Sequence, residues 1–309
     1  MLILINPKAC GGTALNKWKI LEPELLNKFD NLDTIILNGD HSFRMKIKKA
    51  LQNGETQFIS AGGDGTLNLL VNFIINNTST DQLNNIMIGA IGIGSSNDFY
   101  KPVNQCEAIN NIPVKINSNV YEMRDVGKIT IDNEDIIRTK YFLINSSIGI
   151  TAEANYFFNN PDGILKSLKR KNTDLAIIYA ALRELLKYKN FEAEIISEEC
   201  GRINTKITNL GIVKNPNFSG SMNYGYSADY ESGLFNIHIC YDMNLKDRLK
   251  LFWALNNGKF NCLGKTKSLT TNRLIINSVK PFFIEFDGEI IISNSVEFSV
   301  LHKFLKVCK

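Results

Sequence analysis

The fold is decided by residues 58–66, which read Phe-Ile-Ser-Ala-Gly-Gly-Asp-Gly-Thr. A mostly apolar run leads straight into a glycine-rich turn, and residues 67–76 continue with apolar side chains at helical spacing. Apolar runs without alternation are typical of strands buried on both faces of a parallel sheet. The stretch therefore predicts a strand, a glycine turn and a helix, in that order.

The same order occurs on both sides of this stretch. Residues 2–5 are an apolar run that the turn at residues 6–13 follows, and residues 86–91 lead into another glycine turn at residues 92–98. Such alternation predicts an open, largely parallel sheet with helices on both faces, and ligands of these sheets bind outside the carboxyl ends of the strands. All three glycine turns fall at that edge.

The glycine turns suit phosphate. Backbone N–H groups at a helix N-terminus lack helical partners and lie at the positive end of the helix dipole. One such turn is more often only a tight connection, but three at equivalent positions favour an anion site.

The second half has a different rhythm. From about Val126, short β-prone runs predict an antiparallel sandwich with helices near residues 151–159 and 174–188. An apolar stripe on the second helix is expected to pack into the core; its members are Leu175, Ile178, Tyr179, Leu182, Leu185 and Leu186. Residues 163–171 and 245–260 mix apolar and cationic side chains, which is compatible with a surface loop, with core packing or with contact to anionic lipid.

Composition excludes several classes of function. Lys plus Arg (35) minus Asp plus Glu (31) gives a net charge of +4, too small to indicate a nucleic-acid binder. No window of the sequence approaches the length of a membrane span. No heptad repeat appears, so the sequence leaves open whether the protein forms a homodimer. The three histidines, His41, His238 and His302, lack metal spacing and are interpreted as structural or surface residues. The cysteines lack framework spacing and are expected to be free thiols in a reducing compartment; they are Cys10, Cys106, Cys200, Cys240, Cys262 and Cys308.

Four motifs together resemble the diacylglycerol kinase-like lipid kinases, which include sphingosine, ceramide and bacterial soluble lipid kinases. The motifs are Asn6-Pro7, Gly62–Thr66, Gly94–Phe99 and Asp287-Gly288-Glu289, in the family's order and at about its spacing. NAD kinases share the motif at 62–66, so the other three motifs distinguish the families. The chain departs from the family at Gly92 (usually proline), Ser95 (usually threonine) and Leu69 (usually acidic).

The resemblance implies a fold and an activity. Residues 1–126 would form a nucleotide-binding α/β domain to which residues 297–309 return, and residues 127–296 a β-rich, sandwich-like lipid-substrate domain. The active site would lie in the cleft between them. The implied cofactors are ATP and Mg²⁺, and the implied partner is a lipid at the cytoplasmic face of the membrane.

The family match also assigns site residues. Glu289 would be the general base and Asp287 would orient it, although Asp-Gly is equally an ordinary hairpin turn. Asp64, Asp98 and Asp125 would hold the catalytic Mg²⁺, partly through water; the alternatives are helix-dipole pairing for Asp98 and a solvated turn for Asp125. The expected nucleotide contacts are Asn6, Pro7, Lys8, Ala9, Cys10, Gly11, Asn38, Gly62, Gly63, Asp64, Gly65, Thr66, Ser95 and Asn97.

Two assignments have alternatives of their own. Asn97 would also serve as the cap of a helix that begins at Asp98. Bacterial relatives hold a structural Mg²⁺ in the β-rich domain, and Asp229, Ser232 and Leu234 match that site. Because a hydroxyl is a weaker ligand than the aspartate that Ser232 replaces, the ion is either lost or held by Glu231 or Asp229 with backbone oxygens.

The sequence hypothesis is an ATP- and Mg²⁺-dependent kinase that phosphorylates a lipid hydroxyl, such as that of diacylglycerol. One alternative is an NAD kinase-like enzyme with a soluble acceptor. Another, suggested by Leu69 and Ser232, is a catalytically weak sensor of lipid or nucleotide.

Overall fold

The structure, a computed structural model, describes residues Met1–Phe29, Asn31–Gly39, Ser42–Pro102, Glu107–Asn133 and Ile136–Lys309. Two residues interpreted from the sequence, His41 and Cys106, lie outside these ranges. The chain divides into a first unit, Met1–Arg124 with Lys303–Lys309, and a second unit, Asp125–His302. Each unit has its own hydrophobic core.

Strands and helices alternate along the first unit. Its strands are β1 (Leu2–Ile5), β2 (Asp33–Ile36), β3 (Gln57–Gly62), β4 (Met87–Gly92), β5 (Glu107–Ile109) and β6 (Ile112–Lys115). Its helices are α1 (Ala14–Lys28), α2 (Ser42–Gln52), α3 (Asp64–Asn77) and the single turn α4 (Thr80–Leu83).

The sheet of the first unit is largely parallel, as predicted. β1 pairs in parallel with β2 and β3, and β3 pairs in parallel with β4. The register sets Ile5 beside Ala61 and Gly62 beside Gly92, so the three strands end almost level. Their glycine turns therefore begin next to one another.

Helix α1 shows how the first unit fills its core. Ala14, Trp18, Leu21 and Leu25 recur every three or four residues, are buried, and pack on the isoleucines of β1, β3 and β4. Burying each large apolar side chain fully contributes about 1.5–3 kcal/mol. This packing fixes the helix that follows the first glycine turn.

The second unit is built mainly of strands. They are β7 (Tyr121–Asn133), β8 (Ile136–Phe142), β9 (Asn145–Gly149), β10 (Phe191–Ser197), β11 (Gly201–Val213), β12 (Asn217–Phe218), β13 (Met222–Asn223), β14 (Phe235–Tyr241), β15 (Thr266–Thr271), β16 (Arg273–Phe286) and β17 (Glu289–Cys308), with β7 beginning and β17 ending in the first unit. The helices are α5 (Ile150–Asn159), α6 (Gly163–Lys171), α7 (Thr173–Lys187) and α8 (Leu245–Asn256).

The sequence pattern predicts a sandwich here, and the structure forms one curled antiparallel sheet. The strand order is β15-β14-β11-β10-β16-β17, with β7 on β17 and β8 on β7. β9 and β10 share one edge of β11, because β10 pairs with residues 201–207 and β9 with residues 209–213. Although β8 and β14 lie far apart in this order, Phe142 stacks on Phe235 with ring centroids 5.6 Å apart. Register shifts in β11 and β16 accompany this curl, since bulges bend strands.

The apolar stripe on α7 is not wholly in the core, so that prediction is wrong for most of its members. Leu185 is buried, but Leu175 is 52% and Leu186 66% exposed, and Ile178 and Leu182 are exposed as well. The helix packs instead through its small residues Ala176 and Ala180. No helix in the described ranges combines the length and the apolar character that a membrane span requires.

His238 is structural, as predicted. It is buried, stacks on Tyr224 with centroids 4.1 Å apart, and makes hydrogen bonds with Ser268 Oγ and Tyr226 Oη. Burial lowers the pKa of His238 to about 4, so the ring is neutral at physiological pH.

Candidate active site

The glycine turns after β3 and β4 touch backbone to backbone. A Cβ on Gly94 would lie 2.3 Å from Gly63 Cα, closer than any side chain tolerates. Glycine at 94 therefore allows the two turns to meet at the start of α3. The sequence reasoning predicts that these turns converge, and the structure brings them together.

The turn after β1 joins the same group. Asn6 Nδ2 donates to Thr66 Oγ1 at 2.9 Å, which links the first turn to helix α3. A Cβ on Gly62 would lie 2.3 Å from Thr66 Oγ1, so this glycine makes room for the threonine. Asn6, Gly62, Gly63 and Thr66, four of the predicted nucleotide contacts, thus lie together.

Asp64 holds the third turn in place. Its carboxylate accepts hydrogen bonds from the backbone N–H groups of Asp98 at 3.0 Å and Phe99 at 3.1 Å. Asp98 is buried, and its carboxylate pairs with Lys101 and accepts from Ser96 Oγ. Two of the three predicted catalytic magnesium ligands are therefore neighbours.

Asn97 occupies the N-cap position of the short 3₁₀ helix Asp98–Tyr100, as the alternative predicts, but its side chain makes no capping hydrogen bond. It has left-handed backbone, and its Nδ2 donates to the carbonyl oxygens of Gly92 and Gly94. These bonds fix the amide orientation and leave buried Asn97 Oδ1 without a hydrogen-bond partner among the described residues. Because buried acceptors are nearly always satisfied, this oxygen suits a donor such as a ligand hydroxyl or a water.

Cations surround these turns, and sequence reasoning missed one of them. Lys17 Nζ extends from α1 to Gly94 O and Cys10 Sγ, both at 3.5 Å. Lys8 extends to the turn after β2, where a Cβ on Gly39 would lie 3.7 Å from Lys8 Nζ. Lys17 lies on the first turn of the helix after a glycine turn, a position from which its ammonium can extend back to the turn.

The remaining predicted nucleotide contacts lie on the same turns. The turn after β1 contains Pro7, Ala9, Cys10 and Gly11, and its residues Cys10–Gly12 form a 3₁₀ helix. Gly65 lies in the first turn of α3. The side chains of Asn38 and Ser95 are exposed.

In the second unit, Asp287 and Gly288 form the tip of the β16–β17 hairpin. Both have left-handed φ values, 45° and 91°, as a type I′ turn requires, so the hairpin interpretation is confirmed. Buried Asp287 accepts hydrogen bonds from the N–H groups of Leu143, Ile144 and Asn145 at 2.7–3.1 Å. Its carboxylate is thus a positioning group that ties the tip to the loop before β9.

Further contacts fix the hairpin tip beside Glu289. Glu285 accepts from Gly288 N and Ser147 Oγ, both at 2.8 Å, and Asn159 Nδ2 donates to Gly288 O at 2.9 Å. The side chain of Glu289 is exposed. Neighbouring protein atoms nevertheless desolvate its carboxylate in part, which raises the pKa of Glu289, while the positive charge of Lys140 lowers it. A carboxylate that is accessible and readily protonated suits a general base.

Asp125 lies elsewhere than predicted. It is not in a solvated turn or at a strand end but inside β7, fully buried in the second unit. Its carboxylate pairs with Lys214 Nζ at 2.7 Å and His302 Nδ1 at 3.1 Å. An aspartate neutralised in this way does not fit a magnesium ion.

The structure fits one of the two predicted magnesium sites and not the other. Asp64 fits a magnesium ion held partly through water, because it is partly exposed at the phosphate-type turns, whereas neighbouring Asp98 is buried and itself paired with Lys101 and fits less well. The proposed structural site does not fit, because the Lys214 ammonium contacts Ser232 Oγ at 3.3 Å and Leu234 O at 2.9 Å. In the described part of the chain, no three His, Cys, Asp or Glu side chains cluster as metal ligands.

Comparison with known proteins agrees with this geometry. Residues 1–129 match the family model of the diacylglycerol kinase catalytic domain. A Staphylococcus haemolyticus protein provisionally named a lipid kinase is 23% identical over 254 residues, which are 80% of this chain and 74% of that protein.

Solved structures show the same fold. A Bacillus anthracis protein provisionally described as a diacylglycerol kinase has a TM-score of 0.72 and 16% identity, over 99% of this chain and 94% of its own. A second Bacillus anthracis structure, described as a diacylglycerol kinase, has a TM-score of 0.66 and 14% identity, over 99% and 95% of the two chains.

The mixed α/β fold, the family match and the relatives together define a kinase. Its first 129 residues match the catalytic domain of diacylglycerol kinases, and the chain is similar to proteins of the lipid kinase class. A match to a kinase catalytic domain implies the use of ATP.

Proposed function

We propose that this lipid kinase transfers the γ-phosphate of ATP, with Mg²⁺, to the hydroxyl of diacylglycerol or a related lipid. The contact between Gly63 and Gly94 carries the proposal, because it gathers backbone N–H groups, Asp64 and cationic side chains at one sheet edge. Phosphoryl transfer requires this combination of positioning and charge neutralisation.

Each step has a candidate residue. The turns at 6–13, 62–66 and 92–97 would bind the phosphates, and Asp64 and Asp98 would hold Mg²⁺, which neutralises charge on the phosphates when bound. Glu289 would accept the proton of the lipid hydroxyl. The hydroxyl oxygen would form its bond to the γ-phosphorus as the bond to the bridging β–γ oxygen breaks, which releases ADP.

The second unit offers a surface for lipid. Leu175, Ile178, Leu182 and Leu186 form one exposed row on α7, and Leu245, Leu249 and Trp253 form another on α8. The last turn of α6 adds Lys169, Arg170 and Lys171. Apolar rows beside cations suit the cytoplasmic face of an anionic bilayer, so we propose that the kinase binds there peripherally.

A labelled-phosphate assay tests the activity. We expect label from [γ-³²P]ATP in one lipid of a mixed-micelle panel of diacylglycerol, monoacylglycerol, phosphatidylglycerol, ceramide, sphingosine and polyprenol. Glu289→Gln should lose transfer while it still binds ATP, whereas Glu198→Gln, an exposed glutamate of the same unit, should behave as wild type. Label in NAD alone would support the NAD kinase-like alternative, and ATP binding without transfer to any acceptor would support a sensor.

Vesicle sedimentation tests the surface. Vesicles that contain phosphatidylglycerol should bind the protein, and Leu182→Gln with Leu186→Gln should weaken binding. Ile137→Gln, an equally exposed apolar residue on β8, is the matched control. Equal binding by all three proteins would exclude α7 as the lipid contact.

A further inference from the structure

The segment Asp229–Leu234 is the place where family resemblance puts a structural divalent cation, and its oxygens already surround an ammonium. Lys214 Nζ lies 2.7 Å from Asp125 Oδ2, 2.9 Å from Leu234 O and 3.3 Å from Ser232 Oγ. An ammonium has three protons to donate, so these oxygens satisfy it completely. Two of the three predicted metal ligands, Ser232 and Leu234, therefore bind a lysine.

The third predicted ligand turns to its own backbone. Asp229 Oδ1 accepts hydrogen bonds from Glu231 N and Ser232 N, both at 3.1 Å, and its side chain is exposed. It closes the turn locally, as aspartates commonly do.

Asp125 takes the place of the missing acidic ligand. Besides Lys214, it accepts from Gly233 N at 2.8 Å, and its own N–H donates to Tyr230 O at 2.7 Å. One buried carboxylate thus binds the ammonium and ties the turn at 230–233 to β7. Asp125 lies outside the segment Asp229–Leu234. The sequence of that segment therefore lacks one carboxylate and suggests a weakened metal site.

The distances and charges match an ammonium better than a divalent ion. The Nζ–O distances of 2.7 and 2.9 Å are those of good hydrogen bonds, so the ammonium already occupies the position between these oxygens. Lys214 and Asp125 have side chains about 1% and 0% exposed, so a second cation beside the ammonium would meet uncompensated repulsion.

We infer that the Lys214 ammonium replaces the structural divalent cation in this chain, so that the second unit is stable without metal. The inference does not depend on which lipid is phosphorylated. It also implies that any Mg²⁺ dependence of the activity reports the ion at Asp64 and Asp98 and not the stability of the second unit.

Thermal unfolding of the full chain without nucleotide tests the inference. All proteins compared carry Asp64→Asn, which removes the proposed Mg²⁺ site of the first unit; with Lys214 intact, the midpoint should change by no more than about 1 °C between excess EDTA and excess Mg²⁺ or Ca²⁺. Lys214→Met keeps the apolar stem but removes the charge, and it should lower the midpoint by roughly 10 °C. Lys267→Met, an exposed lysine of β15, should leave it unchanged.

The most specific test is a variant whose unfolding midpoint becomes dependent on metal. The double variant Lys214→Ala, Ser232→Asp empties the ammonium position and restores a carboxylate, so Mg²⁺ or Ca²⁺ should raise its midpoint and EDTA should reverse the gain. A midpoint that falls in EDTA for the Asp64→Asn chain with Lys214 intact, or a double variant indifferent to both ions, would overturn the inference. The Asp64→Asn chain with Lys214 intact decides the question even if the Lys214 variants do not fold.

Discussion

Asp64 and Asp125 receive the same assignment from the sequence, yet the structure gives them opposite surroundings. Asp64 is partly exposed beside a glycine turn, and backbone N–H groups hold its carboxylate. Asp125 is buried inside a strand and paired with Lys214 and His302. Backbone N–H groups orient the carboxylate of Asp64, whereas a buried lysine neutralises that of Asp125.

Asp64 and Asp125 differ in whether the residues that contact them belong to the recognised sequence motifs. The donors to Asp64 come from a turn that the same family motif set identifies. The partner of Asp125, Lys214, lies 89 residues away and belongs to no recognised motif. A motif thus predicts a residue's chemistry only where its partners are also part of the pattern.

The largest expected effect is a loss of stability in the variant Asp125→Asn. Asp125→Asn leaves the Lys214 ammonium buried without a countercharge, and breaking a buried pair costs about 3–5 kcal/mol. The midpoint of thermal unfolding should therefore fall by roughly 10 °C, measured by circular dichroism.

Asp229→Asn is the matched control for this variant. Asparagine keeps the oxygen that closes the local turn, so its midpoint should stay within about 1 °C of wild type. The opposite ranking, with Asp229→Asn the more damaging, would restore the metal interpretation of this segment.

Asp64→Asn should separate the aspartates by activity. The asparagine retains an oxygen for one backbone N–H but removes the charge that would hold Mg²⁺, so phosphate transfer should fall at least about 100-fold. Because one of the two backbone N–H groups loses its acceptor, the unfolding midpoint should fall by a few °C, less than in Asp125→Asn. Asp81→Asn, at an exposed aspartate of α4, controls for loss of charge; a wild-type rate for Asp64→Asn would remove Asp64 from the site.

Gly94→Ala tests the turn contact that brings Asp64 to its donors. The new Cβ would overlap Gly63 Cα, so the turns must move apart and the KM for ATP should rise about 10-fold. Gly163→Ala in α6 meets nothing within 4 Å and should leave KM unchanged. Equal KM values would show that the two turns need not touch.

The parallel sheet and its glycine turns could be predicted because their signals are local. An unalternating apolar run followed by glycine predicts β3 and its turn from residues 58–66 alone. The packing of α7 could not be predicted in this way, because helical spacing marks an apolar stripe without saying what covers it. Ala176 and Ala180 let α7 approach its neighbours closely, and the larger side chains were left outside.

The candidate site shows the same limit. Asn6, Thr66 and Asp64 converge because each follows a strand whose register the sheet sets. The partners of Asp125 and the left-handed backbone of Asn97 depend on tertiary contacts that no local pattern records.

The smallest expected effect concerns a partly buried carboxylate that lies near a like charge. Glu153 on α5 is partly buried near the Glu184 carboxylate, and burial together with this like charge raises its pKa to about 7. The folded state therefore binds the proton more tightly than the unfolded chain, so the free energy of unfolding falls as pH rises from about 4.5 to 7. Glu153→Gln cannot ionise, and its unfolding midpoint should exceed that of wild type by about 2–4 °C at pH 8 but match it near pH 4. Glu198→Gln should show no such pH-dependent gain, and an equal gain at both pH values would mean that packing, not charge, separates Glu153→Gln from wild type.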